Sequence, residues 1–159
     1  MLIGIDTFSW YKIIRFSETG ILSLNSLLLD SDIFVTREVK KEFEYRFPEY
    51  GGILDRVIIL PQSDSDFQSY HEFGLDDADA SLLEISAKKK YLIVTEDHPM
   101  IAEGTKRGLN IIQLGDYLGY LVLNQVITHN NFFKLVRRLR SMRNITKKKE
   151  RELLQILRT

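Results

Sequence analysis

No cysteine occurs in this chain, which removes disulfides, thiolate metal sites and cysteine nucleophiles together and fits a cytoplasmic protein. Histidine is nearly as scarce. His71, His98 and His129 show no i,i+4 pair and no zinc-type spacing, so they build no imidazole metal site, and His98, although it adjoins Asp97, reads as solvent-facing. No apolar run reaches the roughly 18 residues of a membrane-spanning helix. The start, MLIGID, has neither a basic n-region nor a cleavable apolar segment, so no secretory signal is expected. Internal repeats, low-complexity tracts and a dividing linker are also missing.

What is present is a chain of 159 residues, 44% apolar and 28% charged, the balance of a soluble globular protein with a real core. Its net charge of zero hides an asymmetry. Residues 129–159 hold ten Lys/Arg against two Asp/Glu, and residues 1–128 hold twelve against twenty, so a basic tail of net +8 follows an acidic body of net −8. That division suits a metal-binding centre beside a polyanion-binding surface. The expected organisation is a body over 1–128 with a basic helical extension over 129–159 packed on it.

The stretch over 74–97, GLDDADASLLEISAKKKYLIVTED, organises the rest. It reads as a loop, a helix opening near Asp76 or Asp77, a buried strand over 91–94, and Thr95-Glu96-Asp97. On a helical wheel Ala80, Leu82, Leu83 and Ala87 form one apolar side, Asp79 falls on that side, and Asp77, Glu84 and Lys88 fall opposite. An inward carboxylate and another just past a buried strand need a reason, because burying an unpaired charge is costly. A shared divalent cation supplies one.

Elsewhere, Leu2-Ile3-Gly4-Ile5 is a short apolar strand ending at Asp6, with Thr7 and a helix over 8–16 behind it. Asp6 alone would serve as the cap of that helix. A carboxylate at the carboxyl end of a strand in an α/β sheet also stands where such folds bind ligands. A helix is expected over 21–29, a strand over 32–35 and, after the cap Thr36, a helix over 37–45 with Val39 and Phe43 inward, Glu42 beside them, and Glu38 and Glu44 pointing away. Further strands are expected over 56–60 and 110–113, a loop with a helical turn over 62–73, and helices over 99–106, 116–124, 130–142 and 146–157. Pro99 suits a first helical turn and Gly108 a helix C′ position. Strands alternating with helices predict an α/β protein, a three-layer α/β/α sandwich on a four- or five-stranded parallel sheet.

Asp6, Asp79 and Asp97 then lie near one edge of the sheet, with Glu42 on the helix after the second strand. Carboxylate-only sites suit hard cations such as Mg²⁺ or Mn²⁺ and the chemistry of phosphodiester hydrolysis. The segments Ile5-Asp6-Thr7, Val39-x-x-Glu42, Asp79-Ala80-x-Leu82-Leu83 and Val94-Thr95-x-Asp97 resemble, in order and spacing, the four signature segments of PIN-domain ribonucleases, of which VapC-type toxins are small members. Residues 108–126 and the tail resemble the C-terminal part of a small bacterial and archaeal subgroup. The resemblance implies a metal-dependent, single-strand-directed endoribonuclease, often the toxin of a toxin–antitoxin pair and often a homodimer. Asp6, Glu42, Asp79 and Asp97 would be its acidic, metal-holding site, and Thr7 and Thr95 its supporting hydroxyls. Asp76 crowds Asp79 and is either an added ligand or a helix cap, as is Asp77. Lys134, Arg137, Arg138 and Arg140 are candidates for RNA phosphate contact, or form the solvated face of a docked helix. A non-catalytic PIN module that binds RNA or a protein partner is the competing reading. A phosphotransferase using Asp6 as nucleophile would need a second Asp two residues on, where Phe8 stands.

Overall fold

The computed structural model describes residues 1–30, 32–61 and 67–158. A five-stranded, all-parallel sheet runs in the order β3-β2-β1-β4-β5. Its strands are β1 (Ile3–Ile5), β2 (Ile33–Thr36), β3 (Ile58–Leu60), β4 (Leu92–Val94) and β5 (Ile111–Ile112). β1 is central, with Ile5 level with Val94, so Asp6 and Thr95 leave the sheet side by side. β1 and β2 are buried along their whole length, whereas Ile58 and Ile59 of the edge strand β3 are exposed.

Helices flank the sheet: α1 (Thr7–Glu18), α2 (Leu24–Asp30), α3 (Arg37–Arg46), α4 (Gln68–His71), α5 (Asp77–Lys89), α6 (His98–Lys106), α7 (Leu114–Leu123), α8 (His129–Ser141) and α9 (Lys147–Gln155). Most begin at a residue suited to the task. The side chains of Asp6, Thr36, Asp76, Asp97, Thr128 and Thr146 each accept the backbone N–H three residues on, satisfying a donor that the first helical turn leaves unpaired. Gly108 follows α6 with a φ of +68°, a left-handed position where a side chain would be strained.

Some boundaries differ from expectation for local reasons. The second helix starts at Leu24, because Gly20 turns the chain at a φ of +72° and the Ser23 hydroxyl accepts from the Ser26 N–H at 3.2 Å. β3 starts at Ile58, since Ile53–Arg56 forms a 3₁₀ turn. The helical turn expected over 62–73 is α4, and positions 62–66 lie outside the described residues. Glu38 is a correction. Its helical phase points it away from the core, but both its carboxylate oxygens are buried and lack a hydrogen-bond partner among the described residues.

α5 lies against β2 and β4 and packs on α3 and α6. α7, α8 and α9 pack on one another, and Phe132, Leu135, Val136, Leu139 and Leu153 join the same buried cluster as Ile5, Trp10 and Leu82. No helix among the described residues is long and apolar enough to cross a membrane.

Gly4 marks the closest approach of the layers. A Cβ there would stand 2.6 Å from Phe34 Cζ, 2.9 Å from Ile93 Cδ1 and 3.1 Å from Leu82 Cδ2. Three crowded directions leave a branched side chain nowhere to go, so Gly4→Val is expected to cost about 1–3 kcal/mol through overpacking. Urea unfolding of the two proteins measures this; an unchanged midpoint would mean that α5 yields freely.

Candidate metal and acidic centre

The centre is built where β1, β2 and β4 end. Asp6 is the residue after β1 and only 5% exposed. Its Oδ1 accepts the Ser9 N–H at 2.7 Å, and its Oδ2 accepts the Thr95 hydroxyl. The same Thr95 Oγ1 accepts the Asp97 N–H at 3.0 Å. One hydroxyl thus ties the end of β1 to the loop after β4 and sets both aspartates. Asp97 in turn caps α6, its Oδ1 accepting the Met100 N–H at 2.8 Å.

Glu42 comes from α3. Val39 and Phe43 of that helix are fully buried, which turns Glu42 toward the strand ends at 16% side-chain exposure. The Thr7 hydroxyl donates to its Oε2 at 2.6 Å, and Arg46 Nε donates to its Oε1 at 2.5 Å. Asp79 comes from the first turn of α5, among buried Ala78, Ala80 and Leu82. Asp76 is the cap of α5, accepting the Asp79 N–H at 3.0 Å, and Asp77 is exposed and bonded to His71 Nε2 at 2.7 Å.

Electrostatics show what these side chains share. Burial, then the charges of Asp76, Asp97, Asp6 and Glu42, push the Asp79 carboxyl up to about 8. All the acids expected at the site therefore bear on Asp79, and Asp76 is the strongest of them. Burial also raises Asp6 above the ordinary carboxylate range, against the hydrogen bonds from Ser9 and Thr95 and the charge of Lys12.

Three participants lie outside the sequence motifs. Lys12, half-buried on α1, is depressed by burial and drawn back by Glu96 and Asp6. Its signal is a lone cation inside Trp10-Tyr11-Lys12-Ile13-Ile14. Glu96 is raised by burial and caps α7, accepting the Leu114 N–H at 2.7 Å. Arg46 is legible as the i+4 partner of Glu42.

Among the described residues, no three acidic or histidine side chains are placed to hold a metal ion together as they stand. Their oxygens are turned to internal partners: helix N–H groups for Asp6 and Asp97, Thr7 and Arg46 for Glu42. The chemistry of the donor set still fits a hard cation, since every donor is a carboxylate or hydroxyl oxygen and each main influence on Asp79 raises its proton affinity.

The tail behaves differently from the centre. Arg137 and Arg140 both face Glu150, at 3.4 and 3.9 Å, and Arg137 lies over the Phe133 ring. Lys134 and Arg138 are exposed.

No family profile matches the chain, and no curated protein matches it. Among solved structures it is similar to a PilT N-terminus domain protein from the hyperthermophilic archaeon Sulfolobus solfataricus P2, at 15% identity and a TM-score of 0.49, over 73% of this chain and 89% of the other. The chemistry of the centre rests on this chain's own residues.

Asp79 binds its proton more tightly folded than unfolded. Its contribution to stability is therefore full below the unfolded value of about 4 and is lost as pH rises through about 8. In metal-free buffer, wild type should lose stability relative to Asp79→Asn between about pH 4 and pH 8. Parallel urea-unfolding profiles for the two proteins would contradict the crowding of charge around Asp79.

Proposed function

We propose that this chain is a divalent-cation-dependent endoribonuclease of PIN type, acting through Asp6, Glu42, Asp79 and Asp97. The observation that carries the reading is Asp79, a half-buried carboxyl inside the field of four other acids at the carboxyl ends of parallel strands. A native chain keeps such repulsion when something positive relieves it, and a carboxylate-only set selects Mg²⁺ or Mn²⁺.

When bound, the cation would lower the pKa of a water and stabilise the leaving oxygen of a phosphodiester. The protein's own part is positional. Thr95 holds Asp6 and the backbone of Asp97 in one frame, and Thr7 holds Glu42. Arg46, now on Glu42, neutralises that carboxylate until a cation competes for it. Asp76 raises the negative field while capping α5, a supporting place. Lys134 and Arg138 on the tail would add diffuse attraction for RNA.

Through the family it resembles, the reading extends to the toxin of a toxin–antitoxin pair, with an antitoxin protein as partner, a homodimer as its form and the cytoplasm as its place. A second reading, a non-catalytic PIN module that binds RNA or a protein, is favoured by one observation: the 2.5 Å bond from Arg46 already occupies Glu42.

Labelled RNA with and without Mn²⁺ separates the two. Asp6→Asn should abolish cleavage, and Thr95→Val should lower it about 10–100-fold. Mn²⁺ should raise the melting temperature of wild type, by binding only the folded state, and raise that of Asp6→Asn much less. Equal thermal responses, or undiminished cleavage by Asp6→Asn, would overturn the nuclease reading.

A further inference from the structure

The carboxylates of the centre are tied to the chain in different ways. Asp6, Asp97 and Asp76 accept backbone N–H groups from the first turns of helices. Among the described residues, Glu42 is the one acid of the centre in an ion pair: Arg46 Nε donates to its Oε1 at 2.5 Å, and the Thr7 hydroxyl donates to its Oε2. A hydroxyl can stay on a carboxylate that ligates a cation. A guanidinium cannot share the oxygen, because two like charges would then stand at contact distance. Loading Glu42 therefore requires Arg46 to leave.

Its surroundings allow that. Arg46 is the last residue of α3, and the backbone beneath it is pinned by Phe47, which stacks on Tyr11 at 4.3 Å and packs on Phe43 at 5.3 Å. The Arg46 side chain is 45% exposed, so it moves through solvent without disturbing the core. Its guanidinium also lies 5.2 Å above the ring of Phe8, a half-exposed residue at the start of α1. That second contact is independent of Glu42 and keeps the charge beside the centre once the first is given up. Lys12, the other cation whose charge reaches the acids, is half-buried on α1 and has no such freedom.

We infer that Arg46 is an exchangeable cation of the centre: it rests on Glu42 in the metal-free protein, yields that carboxylate to a divalent cation, and then carries its guanidinium from above Phe8 to an oxyanion of the phosphodiester. The planar fork of a guanidinium matches two oxygens of a phosphate, which the point charge of a lysine does not. Cation and anion thereby help each other to bind, since each takes one half of an ion pair that the empty protein keeps closed. This rests on the nuclease reading and adds to it how the site stays shut until both ligands are present.

The test needs no RNA. Mn²⁺ is titrated into the full chain and followed by the paramagnetic resonance signal of the free ion, once alone and once with dimethyl phosphate, which offers a phosphodiester charge and neither base nor sugar. Ionic strength is held constant with chloride. In wild type, dimethyl phosphate should tighten Mn²⁺ binding about fivefold, the lower end of the usual coupling between sites. Arg46→Met should bind Mn²⁺ alone about fivefold more tightly than wild type, because no ion pair competes for Glu42. Its gain from dimethyl phosphate should fall below about twofold. Arg46→Lys keeps the charge but not the fork, and should hold Mn²⁺ affinity near that of wild type while losing most of the coupling. Weaker or unchanged Mn²⁺ binding by Arg46→Met would make Arg46 a clamp that only orients Glu42. Equal tightening by dimethyl phosphate in wild type and Arg46→Met would mean that the cation receives the anion unaided. Either result overturns the exchange. A wild type that passes these titrations yet leaves RNA intact fails the nuclease reading alone, so the two failures are told apart.

Discussion

Asp6 is a carboxylate held almost out of water at the end of the central strand, and the surrounding structure is arranged to tolerate it. Its oxygens are shared between the first turn of α1 and the Thr95 hydroxyl, while Lys12 offers a half-buried positive charge from the next turn. Hydrogen bonds to a carboxylate offset part of its desolvation, but only where donors are held in place. The parallel register supplies that holding. With Ile5 level with Val94, the residues that follow the two strands emerge as neighbours, and one threonine reaches both acids.

α3 shows how one helix carries two tasks. Its inner stripe, Val39 and Phe43, docks on β2 and α5 and fixes the roll of the helix. That roll then sets the adjacent stripe, Glu42 with Arg46, against the centre, and the outer stripe, Arg37, Lys41 and Tyr45, toward a groove between α3 and the start of α5. Core packing is rigid on the scale of a methylene, so the apolar stripe positions the polar ones more firmly than any ion pair would.

The basic tail is tied to the body on both of its sides. Its apolar residues join the common core and its Lys149 reaches Asp116 of α7 at 2.6 Å, while Arg137 and Arg140 face Glu150 within the tail itself. The net charge of +8 over 129–159 already subtracts Glu150, and the pairing of Lys149 with Asp116 lowers the charge available to a ligand further. Counting charges cannot separate a cation that faces solvent from one that faces its own chain.

The parallel sheet was legible from the alternation of strands and helices, because burial on both faces writes continuous apolar runs such as Leu2–Ile5 into the chain. The caps Asp6, Thr36 and Asp76 were legible for the same local reason, since a helix needs its first N–H groups satisfied within a few residues, whereas Asp97 was read as a strand-end acid and its capping of α6 came only with the structure. The inward face of α5 could be read from its period, and so could the place of Asp79 on it. What only the tertiary structure decided is how far-apart residues divide their partners. Glu38 and Glu42 occupy the same helix one turn apart, yet one has its oxygens buried without a partner and the other meets Thr7 and Arg46. Lys12 and Glu96 acquire their roles across 84 positions of sequence. Charge acts through distance and burial, and neither exists along a chain until the sheet brings its ends together.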